Sequence, residues 1–154
     1  METASYLADT NILLRLVQRD DPDHAVIRAA LRAIQQRREQ VLYASQNLVE
    51  FWRVCTRPKA ANGFGLSVAE TDRRARVIER LFVLLPDRPE IHTEWRSLVL
   101  AYAVSGVQVH DARLVAAMRV YGVDRLLTSN VTDFSRYPGV VAVHPRDAAR
   151  LVAP

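Results

Sequence analysis

The sequence predicts one α/β domain built on a central, mainly parallel β-sheet. Short β-prone apolar runs alternate with one-sided helical stretches of roughly 10–15 residues, the spacing that crossovers between parallel strands require. No internal repeat, low-complexity tract or linker-like segment divides the 154 residues. A chain of this length buries roughly two-thirds of its unfolded surface, so one core needs neither disulfide nor structural metal. The domain is expected to span residues 1–154, with its core over about 5–144.

Ser5-Tyr6-Leu7-Ala8 reads as a first strand that stops at Asp9, and a helix follows from Asn11 to Val17. Asp20-Asp21-Pro22-Asp23 makes a turn, with Pro22 in a first turn and Asp23 or a neighbour capping the next helix. That helix runs over Ala25–Gln36 and places Val26, Ala30, Leu31 and Ile34 on one side. Val41–Ala44 is a second strand. Ser45 caps a helix to Cys55, which Arg57-Pro58 ends. Pro58 to Gly65 reads as a loop. Ser67 and Glu70 form a capping box for a helix to Leu81.

Phe82–Leu85 is a third strand candidate, and Pro89 opens a helix toward Val104, stopped by Gly106. Val107–Val109 reads as a short strand leading into His110-Asp111, with a helix from Ala112 to Tyr121 ending at Gly122. Leu126–Thr128 and Val140–Val143 complete the strand candidates.

Basic side chains number 21 against 17 acidic ones, a formal charge of +4, and Lys59 is the one lysine among them. An arginine-rich surface can fork onto phosphate oxygens, which suits a polyanionic substrate or an acidic partner without choosing between them. Cys55 has no partner for an internal bridge and reads as a buried thiol. The start of the chain lacks a basic segment followed by a long apolar stretch, and no apolar run approaches the roughly 18 residues that span a bilayer. A cytoplasmic protein with no membrane segment is expected.

Three carboxylates occupy unusual places. Asp9 ends the first strand, Asp111 follows a short strand, and Glu50 interrupts the apolar helical run Leu48-Val49-Glu50-Phe51-Trp52. Side chains just beyond the carboxyl ends of parallel strands gather around a shared crevice, and the helix after the second strand can bring Glu50 to the same rim. Asp9 and Asp111 are also open to a plain capping role. Glu50 lies mid-helix, where capping does not explain it, although Arg53 could pair with it. Carboxylates sharing a crevice repel one another, and hard cations such as Mg²⁺ or Mn²⁺, one or two of them, would offset that repulsion. Such a centre could cleave phosphodiesters.

These motifs together resemble PIN-domain nucleases, especially the VapC-type toxins. Leu7-Ala8-Asp9-Thr10-Asn11-Ile12-Leu13 is similar to the opening motif, Ser45 to Phe51 with Glu50 to the second, and His110-Asp111-Ala112 with Ala116 to the third. Leu127 through Phe134 resembles the late motif, so the ordered set covers about Leu7 to Val143. The resemblance implies a PIN-like α/β/α sandwich, a Mg²⁺- or Mn²⁺-dependent endoribonuclease acting on RNA, a cognate antitoxin and a homodimer. It makes Asp9, Glu50 and Asp111 the acidic ligands. Thr10 and Asn11 become residues that orient Asp9 or a bound water, and Thr128 supports the late side of the pocket.

The fourth acid departs from the family pattern. Many relatives carry an aspartate two residues beyond the position of Thr128, where this chain has Asn130. Asp133 is expected to supply the missing charge, with Asn130 as a secondary polar member; a turn role for Asp133 stays open. Arg15, Arg19 and Arg113 are candidate phosphate contacts, being near Asp9 or Asp111 in sequence. Two other readings accompany the nuclease: a catalytically weak RNA- or partner-binding module of the same fold, and a related DNA-processing nuclease.

Overall fold

A computed structural model describes residues 3–150. Five strands, β1 (Ser5–Ala8), β2 (Gln40–Ala44), β3 (Val83–Leu85), β4 (Arg125–Leu127) and β5 (Val141–Val143), form one sheet in the order β3-β2-β1-β4-β5. Every neighbouring pair is parallel, with Leu7 beside Leu42 on one side and Leu126 on the other. The expected mainly parallel sheet is therefore wholly parallel. The chain moves outward from β1 through β2 to β3, then returns to the opposite side of β1 for β4 and β5. That reversal puts a topological switch point at the carboxyl ends of β1 and β4, where a crevice opens in sheets of this kind.

Strand alternation builds the two faces. Tyr6, Ala8, Val41, Tyr43 and Leu127 point to one layer, Leu7, Leu42, Ala44, Leu85 and Leu126 to the other. The first layer holds α1 (Thr10–Val17), α2 (His24–Gln36), α3 (Ser45–Thr56), α4 (Val68–Leu81) and α7 (Pro145–Arg150). The second holds α5 (Pro89–Ala101) and α6 (Gln108–Tyr121), packed through Ile91, Leu98, Ala112 and the apolar run Leu114 to Met118. The result is an α/β/α sandwich.

The carriers of the candidate site are anchored from below. In α3, Phe51 and Cys55 are fully buried against the sheet, which leaves Glu50, one step round the helix, at the rim. Burial also pushes the Cys55 thiol up to about 11, the behaviour of an inert core residue. At the opposite end of the sheet, Glu39 pairs with both Arg37 and Arg125, and each arginine donates to the Tyr6 hydroxyl.

Several expected boundaries shift for local reasons. Val107–Val109 is not a strand: Gly106 turns the chain at φ 62°, and the N–H groups of Val109 and His110 donate back to Gly106 and Val107. The places beside β1 are already taken by β2 and β4, and Val107 is 81% exposed. Asp111 thus lies in the first turn of α6, inside the helix and neither at a strand end nor at its cap. Helix α5 stops at Ala101, short of Val104, because Ala103 takes a left-handed φ of 49°. Ser45 is the first helical residue of α3, and the cap comes from Asn47, whose Oδ1 accepts the Ala44 N–H at 2.8 Å. At α2, Asp21 accepts the Asp23 N–H at 2.8 Å, while the Asp23 side chain caps nothing. The loop after Pro58 contains a 3₁₀ turn at Lys59–Ala61, and α7, unforeseen because it is only 6 residues long, carries the packing past residue 144 through Ala148.

Removing the anchor of α3 should be costly. Phe51→Ala is expected to lower unfolding free energy by about 3–5 kcal/mol in urea denaturation; a loss below about 1 kcal/mol would contradict this packing.

Candidate active site

Asp9 follows β1 directly and caps α1, its Oδ1 accepting the Thr10 N–H at 2.8 Å. Thr128 follows β4 directly and is fully buried; its hydroxyl donates to Asp9 Oδ2 at 2.8 Å. Because the Asn130 N–H donates to the same hydroxyl oxygen at 3.0 Å, the Thr128 proton is left to face Asp9. Asn11 adds a donor to Asp9 Oδ2 at 3.1 Å and accepts the Ser129 N–H at 3.3 Å. The carboxyl ends of β1 and β4 are thereby stitched together through one carboxylate. Capping and site placement are compatible here: the same geometry serves both.

Glu50 reaches this place from α3. Thr10 Oγ1 donates to Glu50 Oε2 at 2.7 Å, and Gln46 Nε2 donates to Oε1 at 2.7 Å. Arg53 does not pair with Glu50; it is exposed and lines the adjoining cleft. Gln46 also donates to the His110 carbonyl at 2.8 Å, so one side chain ties the Glu50 helix to the first turn of α6 beside Asp111. Asp133 stands on a 3₁₀ turn, Val131–Phe134, that the buried Phe134 fixes to the core.

A cleft of about 690 Å³ opens over these residues, lined by Thr10, Glu50, Arg53, Asp111, Arg113 and Asp133 among others. Asp9, 7% exposed, adjoins the lining through Thr10. Burial is the main cause that raises the Asp9 pKa; the Thr128 and Thr10 donors oppose it, and Glu50 and Asp133 add repulsion. Asp111 is pushed up to about 7, first by burial, then by Asp9, Asp133 and Glu50, with Arg136 acting against them. Four acids from four segments of the chain therefore share one field.

The donor set suits a hard divalent cation: its oxygens are anionic, and their repulsion is what such an ion relieves. As the side chains stand, no three His, Cys, Asp or Glu among the described residues converge enough to hold one. The fit is one of chemistry and charge.

The other expected residues divide. Asn130 is exposed and contributes its backbone N–H, whereas Asp133 lines the cleft. Arg113 is at the mouth, donating to Asp87 at 3.2 Å and Gln46 at 3.4 Å. Arg15 binds the Asp23 carboxylate and donates to Ser129 Oγ at 3.2 Å, on the edge of the β4 turn. Arg19 lies away from the acids, in a groove with Arg28 and Arg74. Sequence reasoning misses Gln46, Asn47 and Arg136: polar residues in a helix's first turn, as Gln46 and Asn47 are, look like ordinary solvated or capping residues, and Arg136 sits in a turn where an arginine gives no signal.

Comparison with known proteins agrees with this architecture. A PIN domain family model matches residues 6–140. The chain is 32% identical over 134 residues to Ribonuclease VapC24 of Mycobacterium tuberculosis (strain CDC 1551 / Oshkosh), covering 84% of this chain and 88% of that protein. Its fold is similar to VapBC2 from Rickettsia felis, solved bound to a DNA fragment from their promoter, with a TM-score of 0.69 at 12% identity over 91% of this chain and 98% of that one. VapBC-1 from nontypeable Haemophilus influenzae gives a TM-score of 0.68 at 14% identity over 92% and 98%.

The raised Asp111 pKa sets a pH dependence. The folded state holds this proton more tightly than the unfolded chain, whose value is near 3.8. Its contribution to stability is complete below about pH 4 and is lost as pH rises through about 7. In chelator, Asp111→Asn should exceed wild type in stability by about 1–2 kcal/mol at pH 8, after allowance for partial exposure, and match it at pH 4. Urea melts at the two pH values check this, and an unchanging difference would contradict it.

Proposed function

The chain belongs to the PIN-domain family, and we propose that it is a Mg²⁺- or Mn²⁺-dependent endoribonuclease, the toxin of a type II toxin–antitoxin pair. The observation that carries the reading is the gathering of Glu50, Asp111 and Asp133 around one cleft with Asp9 close behind, where burial first, and then the neighbouring acids, push Asp111 up to about 7. Those four side chains would hold one or two ions. When bound, the cation supplies charge neutralisation at a phosphodiester and activation of water for its hydrolysis.

The chain's own residues do the positioning. Thr128, Asn11 and the Thr10 N–H fix Asp9 beside the cleft, and Thr10 and Gln46 fix Glu50 at its wall. Arg113 stands at the mouth, where its fork could hold a phosphate of the RNA backbone. RNA is favoured over DNA by the likeness to a ribonuclease. A cognate antitoxin is favoured by structural neighbours that carry the VapBC name. The reading places the enzyme in the cytoplasm as a homodimer.

The purified protein and Asp9→Asn should be compared on RNA and DNA panels, with Mn²⁺, with Mg²⁺ and with chelator. Cleavage of RNA that needs the cation and falls about 100-fold or more in Asp9→Asn is expected. Asp133→Asn should cost about tenfold and Asn130→Ala less than that. Cuts that survive chelation or Asp9→Asn would contradict the reading, and a preference for DNA would turn it toward a DNA-processing nuclease.

A further inference from the structure

Asn47 is 0% exposed and Thr10 8%, so water cannot easily substitute for either one's partners. The hydrogen bonds around them leave one direction open to each proton. The Ala44 N–H can only donate, and at 2.8 Å it claims Asn47 Oδ1. That fixes the side-chain amide with Nδ2 toward Thr10, 3.2 Å from Oγ1. Nδ2 can only donate, so the Thr10 oxygen accepts there. The Thr10 hydroxyl has a single proton, and its remaining neighbour is Glu50 Oε2 at 2.7 Å, an acceptor when ionised.

We propose that Asn47 is a positioning residue for Glu50, acting through the Thr10 hydroxyl, whose proton it directs onto the carboxylate. The chain of donors runs from the end of β2 through α3 to the start of α1 and back to α3. It converts the cap of α3 into a device that sets where one Glu50 oxygen lies. Gln46 holds the other oxygen at 2.7 Å, so the carboxylate is pinned at both ends while lone pairs remain for a cation. Nothing in Asn47 itself touches the cleft. The inference rests on the cation-binding reading for its consequence, and on geometry alone for the relay.

Two measurements test it. Mn²⁺ titration of the RNA-free protein should show Asn47→Ala and Thr10→Val each weakening affinity about tenfold. Because they break one chain, the double variant should also lose about tenfold, and not the roughly 100-fold product. Thr10→Ser, which keeps the hydroxyl, should rescue affinity to within about twofold. A role confined to helix capping would lower thermal stability in Asn47→Ala but leave Mn²⁺ affinity unmoved. Should Asn47→Ala not fold, Asn47→Ser keeps a short acceptor for the cap, cannot reach Thr10, and is expected to show the same loss.

Unfolding equilibria decide the relay independently of any cation. Asn47→Ala combined with Glu50→Ala should depart from additivity by about fivefold in the unfolding constant, and the departure should vanish in a Thr10→Val background. If wild type binds no Mn²⁺, the cation reading falls and this cycle still judges the relay. Additive unfolding constants, or independent losses of affinity in Asn47→Ala and Thr10→Val, would overturn the inference.

Discussion

Repulsion among Asp9, Glu50, Asp111 and Asp133 is the interaction around which the rest of this structure is arranged. Asp9 has little exposure, and both burial and its acidic neighbours work against its charge. Buried like charges are unfavourable unless donors or cations compensate them. The chain meets part of that cost itself: Asp9 receives the Thr10 N–H, the Thr128 hydroxyl and the Asn11 amide, while Glu50 receives Thr10 and Gln46. Asp111 lacks a comparable set of donors, and burial together with the remaining repulsion leaves it a carboxyl that titrates near neutrality. A strained acidic group of that kind is a mark of a functional site.

The fold makes this concentration possible. Reversal of strand order beside β1 puts the switch point at the carboxyl ends of β1 and β4, and those ends deliver Asp9 and Thr128 to the same point. Helices from opposite layers then meet above it, α3 with Glu50 and α6 with Asp111, joined by Gln46. Burial of Phe51 on α3, and of Ala112 and Leu114 to Met118 on α6, opposes any retreat of either carboxylate by movement of its helix. What freedom remains belongs to the side chains, which is where a cation would act.

Much of this was legible in the residues. A β-prone run ending in Asp9 and a carboxylate in the middle of an apolar helical stretch, Glu50, each break a local pattern, and such breaks point to sites. Asp111 lines the cleft, but from inside a helix and not from a strand end: Val107 to Val109 resemble a strand in sequence, yet they are exposed or half-buried and pair with no strand. Gln46 and Asn47 gave no signal, because their importance lies in partners 64 and 37 positions away. Arg19 shows the converse, close to Asp9 in sequence but carried past it by α1 to another groove. Long-range convergence is fixed by topology, and topology is only partly written in local periodicity.

If mutual repulsion governs the site, binding a divalent cation must displace the proton that Asp111 retains near neutral pH. Calorimetric titration of the protein with Mn²⁺ in buffers of different ionisation enthalpy measures that displacement. About half a proton per site should be released at pH 7, falling toward none by about pH 9, and Asp111→Asn should abolish the release. Mn²⁺ binding without proton release at pH 7 would contradict the account.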